Sequence, residues 1–100
     1  ESEKAVQQLA AVGIRNCVAT GGKTISKYQI EMLTRMNVEI VLAFDQDVTK
    51  AELQDIANMF LDGVPVCAMI DEEHLMADKM SPTDDMNIFY KLKDNLVKLK

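Results

Sequence analysis

No apolar stretch in this sequence approaches the roughly 20 residues that span a bilayer, and the N-terminus lacks the charged-then-apolar pattern of a secretion signal. Both absences lead us to expect a soluble, unprocessed protein. Cysteine is scarce, and Cys17 and Cys67 sit in apolar runs without a partner at CxxC spacing. That pattern excludes a zinc ribbon and a disulfide framework, and points to two reduced, buried thiols in a cytoplasmic protein. There is one histidine, His74, with no second to share a metal, so it reads as a surface residue. A basic excess is also absent: 11 Lys and Arg against 16 Asp and Glu leave a formal net charge of -5. Free-standing, affinity-driven nucleic-acid binding needs a positive surface, so any contact with nucleic acid has to be local or metal-mediated. Internal repeats and low-complexity tracts are lacking.

What is there suits one domain, residues 1–100: a chain of 100 residues with 48% hydrophobic content can bury a core but has no room for a second. Val6, Leu9 and Ala10 fall at helical spacing between Ser2 and Val12, with Gly13 as a stop. A short strand, Asn16 to Thr20, follows and Gly21-Gly22 breaks it. Ser26 and Gln29 read as a capping box opening a helix through Met36, with Met32, Leu33 and Met36 as its buried stripe. Val38 to Phe44, nearly all apolar and rich in β-branched residues, reads as a strand covered on both faces. A second capping box, Thr49 with Glu52, opens a helix whose stripe is Leu53, Ile56, Ala57, Phe60 and Leu61, ending at Gly63. Val64 to Ile70 is the next strand, Asp71 to Asp85 a polar loop with a helical turn around Glu73 to Ala77, and a last helix from Asp85 carries Ile88, Phe89, Leu92, Leu96 and Leu99. The seven methionines read as flexible core filler. Alternation of helices and strands predicts an α/β domain with a parallel sheet.

The run Leu42-Ala43-Phe44-Asp45-Gln46-Asp47 ends an apolar strand in two carboxylates. In extended chain, residues i and i+2 share a side, so Asp45 and Asp47 converge at the carboxyl end of a central strand, where open α/β sheets bind ligands. Paired carboxylates there suit a hard divalent cation and the phosphate that accompanies it. Glu1, before the first helix, and Asp84 with Asp85, after the Pro82 turn, fall at corresponding strand ends.

That set of motifs, in order, resembles the toprim domain, the catalytic module of bacterial-type primases, type IA and type II topoisomerases and some nucleases. Glu1-Ser2-Glu3 resembles the family's glutamate motif, Val18-Ala19-Thr20-Gly21-Gly22 its glycine turn, and Phe44-Asp45-Gln46-Asp47 its paired aspartates. Lys79-Met80-Ser81-Pro82-Thr83-Asp84-Asp85 is similar to the proline-containing acidic motif of primases, the branch this chain looks most like. It departs from them in carrying Lys50 where primases often have glycine and Ser81 where they have aspartate before the proline. The strand that the family places before its glutamate is absent, and the chain opens directly on a helix.

The resemblance implies a small Rossmann-like α/β domain with a mostly parallel sheet of three to four strands, as a fragment of a longer protein. It implies Mg²⁺ or Mn²⁺ held by Asp45, Asp47 and Asp84, with Asp85 the alternative to Asp84, and Glu1 as general acid or base. Gly21, Gly22 and Lys23 are then the phosphate or nucleic-acid contacts. The implied activity is metal-assisted nucleotidyl transfer, RNA primer synthesis in DNA replication, with nucleotides, nucleic acid and further primase domains as partners. A small toprim nuclease or nucleotide hydrolase, and a non-catalytic interaction module of the same fold, are the alternatives.

Overall fold

The computed structural model describes residues 2–22, 25–72, 74–76 and 81–100. Its first helix, α1 (Glu3–Ala11), starts at Ser2, whose hydroxyl accepts from the Ala5 amide at 3.2 Å. It ends as the sequence predicts, at Gly13. The Ile14 amide donates back to Leu9 O and the Gly13 amide to Ala10 O, a pairing that needs the left-handed φ of +88° that glycine adopts without strain. Helices α2 (Lys27–Arg35) and α3 (Lys50–Asn58) both begin with complete capping boxes, Ser26 with Gln29 and Thr49 with Glu52.

Among the described residues three strands form the sheet, in the order β1 (Ile40–Leu42), β2 (Val66–Ala68), β3 (Val97–Lys98). β1 and β2 are parallel, with Ile40 opposite Val66 and Leu42 opposite Ala68. β3 runs antiparallel to β2, pairing Val97 with Ala68. A single turn of 3-10 helix, Pro82–Asp84, precedes α4 (Met86–Asp94). Asp85 caps α4 by accepting from the Asn87 amide at 2.9 Å.

Two apolar clusters hold these elements. Ile30 of α2, Leu53, Ile56 and Ala57 of α3 and Phe60 just beyond it pack with Ile40, Leu42, Val66 and Ala68 of the sheet. Leu9 of α1, Phe89 and Leu92 of α4, and Met69 and Met76 form the second cluster. Helices α2 and α3 thus cover one face of the sheet through the first cluster, while the second joins α1 and α4 to the segment that follows β2. No helix of the described residues is long and apolar enough to cross a membrane.

The structure corrects the sequence reading at five places. Asn16–Thr20 makes no strand among the described residues, and Val18 faces solvent. β1 is covered on one face only, since Val41 between the buried Ile40 and Leu42 is exposed. On α2 Ile30 is buried and Leu33 half-buried, while Met32 and Met36 join Tyr28 on the opposite, solvent side. α3 stops at Asn58, before Leu61, which is 71% exposed. The last helix stops at Asp94, because pairing with β2 draws Val97 and Lys98 into a strand and Leu99 into the first cluster. The sheet is therefore one parallel and one antiparallel pair.

Candidate functional site

Leaving β1, the chain passes through Ala43 and the buried Phe44 into a tight turn closed by the Val48 amide donating to Asp45 O at 3.1 Å. Phe44 and Val48, both in the first apolar cluster, pin the two ends of this turn to the core. Between them Asp45 is half-buried, and Gln46 and Asp47 are exposed. The strand ends at Leu42, so the two-residue alternation expected to aim both aspartates to one side has ceased before it reaches them.

Asp45 opens on a cavity of about 240 Å³ beyond the carboxyl ends of β1 and β2, where α3 begins. Its floor is apolar, with Phe44, Val48, Leu53, Met69 and Met76 all buried. Its polar lining includes Asp45, Lys50, Asp71 and His74. Asp71 closes the segment after β2 much as Asp45 closes the one after β1. Its carboxylate accepts from the Leu75 amide at 2.7 Å and the Met76 amide at 2.8 Å, which ties both residues back to Asp71 beside the cavity. These distances are those of charge-assisted hydrogen bonds. His74 stands inside that loop with a left-handed φ of 55°.

Gly21 and Gly22 lie elsewhere, lining a shallow depression of about 310 Å³ with Ser2 and Glu3 at the start of α1. The glycine turn is tied to α2: the Thr20 hydroxyl donates to Gly22 O at 2.7 Å, and the Gln29 amide group donates to Thr20 O at 3.3 Å. Gly21 has φ +83°, the reason glycine stands there; a side chain at either glycine would meet open space. Glu1 and Lys23 lie outside the described residues.

Asp84 sits against α1. One carboxylate oxygen accepts from Gln8 Nε2 at 3.2 Å and lies 3.9 Å from Lys4 Nζ; the other accepts from the Ser81 amide at 3.0 Å. Gln8 also receives the hydroxyl of the buried Thr83 at 2.6 Å, so one side chain binds both residues of the turn. The Ser81 amide, then Gln8, with a smaller contribution from Lys4, hold the Asp84 carboxyl below its ordinary value. Neither Asp84 nor Asp85 lines the cavity at Asp45.

Among the described residues no three His, Cys, Asp or Glu side chains converge on one metal position. Mg²⁺ does not require such a cage: it keeps several waters and takes one or two carboxylates together with substrate phosphates. A half-buried aspartate followed two residues later by an exposed one, on a turn fixed at both ends, fits that demand in donor chemistry.

Sequence reasoning missed Asp71 as the anchor of the loop and Lys50 and His74 as cavity-lining residues. Asp71 had a signal, since the apolar run Val64–Ile70 ends on it as Val38–Phe44 ends on Asp45. The other two come from separate elements and meet only in three dimensions.

The sequence model of the family described as Toprim-like matches residues 6–62, more than half of the chain and inclusive of the glycine turn and the Asp45–Asp47 turn. No curated protein and no solved structure matches.

Proposed function

The chain belongs to the Toprim-like family, and from that premise we propose that it is the Mg²⁺-dependent nucleotidyl-transfer module of a DNA primase-like protein, acting in RNA primer synthesis. The family is one of magnesium-binding modules in nucleic-acid processing. The observation that carries the reading is the half-buried Asp45, held by a core-pinned turn at the mouth of a cavity beyond the parallel pair. Ligands of open α/β sheets bind at that end.

In this reading Asp45 and Asp47 hold the ion, while Asp84, bound by Gln8 and the Ser81 amide, and Asp85, which caps α4, stay outside its ligand set. Bound Mg²⁺ supplies charge neutralisation at the phosphate and at the attacking and leaving oxygens. Asp45, rising from an apolar floor, offers a negative charge where water screens it less than at an open surface. Glu1 takes or returns the proton of the attacking hydroxyl, and Gly21, Gly22 and Lys23 contact phosphate. Both cysteines are free thiols, which supports a reducing, cytoplasmic setting. Nucleotides and nucleic acid are the partners, together with the remaining domains of a longer protein.

A net charge of -5 favours a second reading, a nuclease or nucleotide hydrolase that does not grip a long template by charge. Primer extension on single-stranded DNA with ribonucleotides, run beside a nuclease assay with Mg²⁺, separates the two. The primase reading expects labelled primers that vanish in Asp45→Asn; cleavage without synthesis selects the hydrolytic reading. Neither activity, in the chain or the longer protein that contains it, selects a non-catalytic module.

A further inference from the structure

The cavity at Asp45 brings in two nitrogen-bearing side chains that this mechanism leaves unused. Lys50 is the first residue of α3 and His74 belongs to the loop after β2, yet both line the same cavity of about 240 Å³ as Asp45. His74 is exposed, and hydrogen bonds to Asp71 fix the backbone at and after it. Its own amide donates to Asp71 O at 3.3 Å, and the next two amides are clamped by the Asp71 carboxylate at 2.7 and 2.8 Å. Met76, buried in the second apolar cluster, anchors the far end. Such a loop carries its left-handed residue, His74, in one place rather than many.

A phosphate group entering beside Asp45 meets a carboxylate of its own sign and needs donors from another side. We propose that Lys50 and His74 supply them, gripping a phosphate of the substrate across the cavity from Asp45. Both side chains are exposed, so each contact has the strength of a surface interaction. Asp71 does not oppose them in full, since both of its oxygens already accept backbone amides. The proposal deepens the phosphoryl-transfer reading and rests on it. The gripped group belongs either to a nucleotide or to a nucleic-acid backbone, and the two share this chemistry.

The test is a titration of the ¹⁵N-labelled chain, followed by amide shifts, with three metal-free probes in EDTA: inorganic phosphate, a nucleoside triphosphate and an oligothymidylate. A separate arm uses Mg²⁺ alone. The variants are Lys50→Ala and His74→Asn, the latter because asparagine tolerates a left-handed backbone. The expected result is movement of the amides at 50 and 74–76, with each variant weakening phosphate about fivefold, the size of one exposed charged contact. Tighter binding of the triphosphate identifies a nucleotide phosphate, and tighter binding of the oligonucleotide a backbone phosphate; either supports the grip. Shifts confined to the Gly21–Gly22 turn, or variants that bind all three probes within twofold of the parent chain, overturn it. Silence of Asp45 and Asp47 in the Mg²⁺ arm counts against the metal reading alone, because the phosphate arms contain no metal.

Discussion

Replacing Asp71 by alanine removes both acceptors that hold Leu75 and Met76 beside the cavity. Hydrogen bonds to charged groups contribute about 1.5–3 kcal/mol each when well shielded. These two, at 2.7 and 2.8 Å, are only part-buried, so about 1 kcal/mol each is the reasonable share. Loosening the loop also frees Met76, which is 8% exposed; losing part of its burial adds about 1 kcal/mol. The sum is about 3 kcal/mol, a large fraction of the 5–15 kcal/mol typical of a domain. Asp71→Asn keeps one carbonyl acceptor and loses about half as much. Urea unfolding followed by far-UV circular dichroism measures both losses as shifts in midpoint at constant slope, and amide exchange reads the Leu75 and Met76 protons directly. A loss under about 0.5 kcal/mol for the alanine variant, or unchanged exchange at those two amides, refutes the clamp.

Two further outcomes follow from the same structure. Phe60, 2% exposed, and Leu61, 71% exposed, are neighbours that face opposite environments. Phe60→Ala costs about 3–5 kcal/mol in urea unfolding, whereas Leu61→Ala stays within about 0.5 kcal/mol; similar losses would contradict the end of α3 as described. Asp84 has a folded-state carboxyl pKa below the ordinary 3.8, caused first by the Ser81 amide and then by Gln8. A lowered folded pKa favours the charged form in the native state, so its contribution is full above the unfolded value and is lost as pH falls through the folded one. Asp84→Asn therefore flattens the fall in stability below about pH 4; a parent-like acid profile in the variant would remove Asp84 from that role.

Much of this architecture is legible because local signals and tertiary packing agree. Ser26 with Gln29, Thr49 with Glu52 and the Gly13 stop each specify a helix end through backbone groups that only nearby residues can satisfy. The readings fail where two periods overlap. Leu96 and Leu99 extend the stripe of Ile88, Phe89 and Leu92, but Val97-Lys98-Leu99-Lys100 also alternates as a strand, and pairing with β2 decides it. Met32 and Met36 fit one face of α2 as well as Ile30 fits the other, so apolar spacing alone does not say which face the core takes. Asp45 is visible in sequence because a β-branched apolar run ends on it. The loop that folds back beside it depends on Asp71 meeting amides four and five residues later, which no periodicity records.

Titration of the ¹⁵N-labelled chain with Mg²⁺, repeated with paramagnetic Mn²⁺, tests whether the Asp45–Asp47 turn binds a divalent cation. Amide shifts at Asp45 and Asp47 are expected with Mg²⁺, with selective broadening of the same signals by Mn²⁺ and loss of both effects in Asp45→Asn. No perturbation at either residue in millimolar metal would contradict that binding.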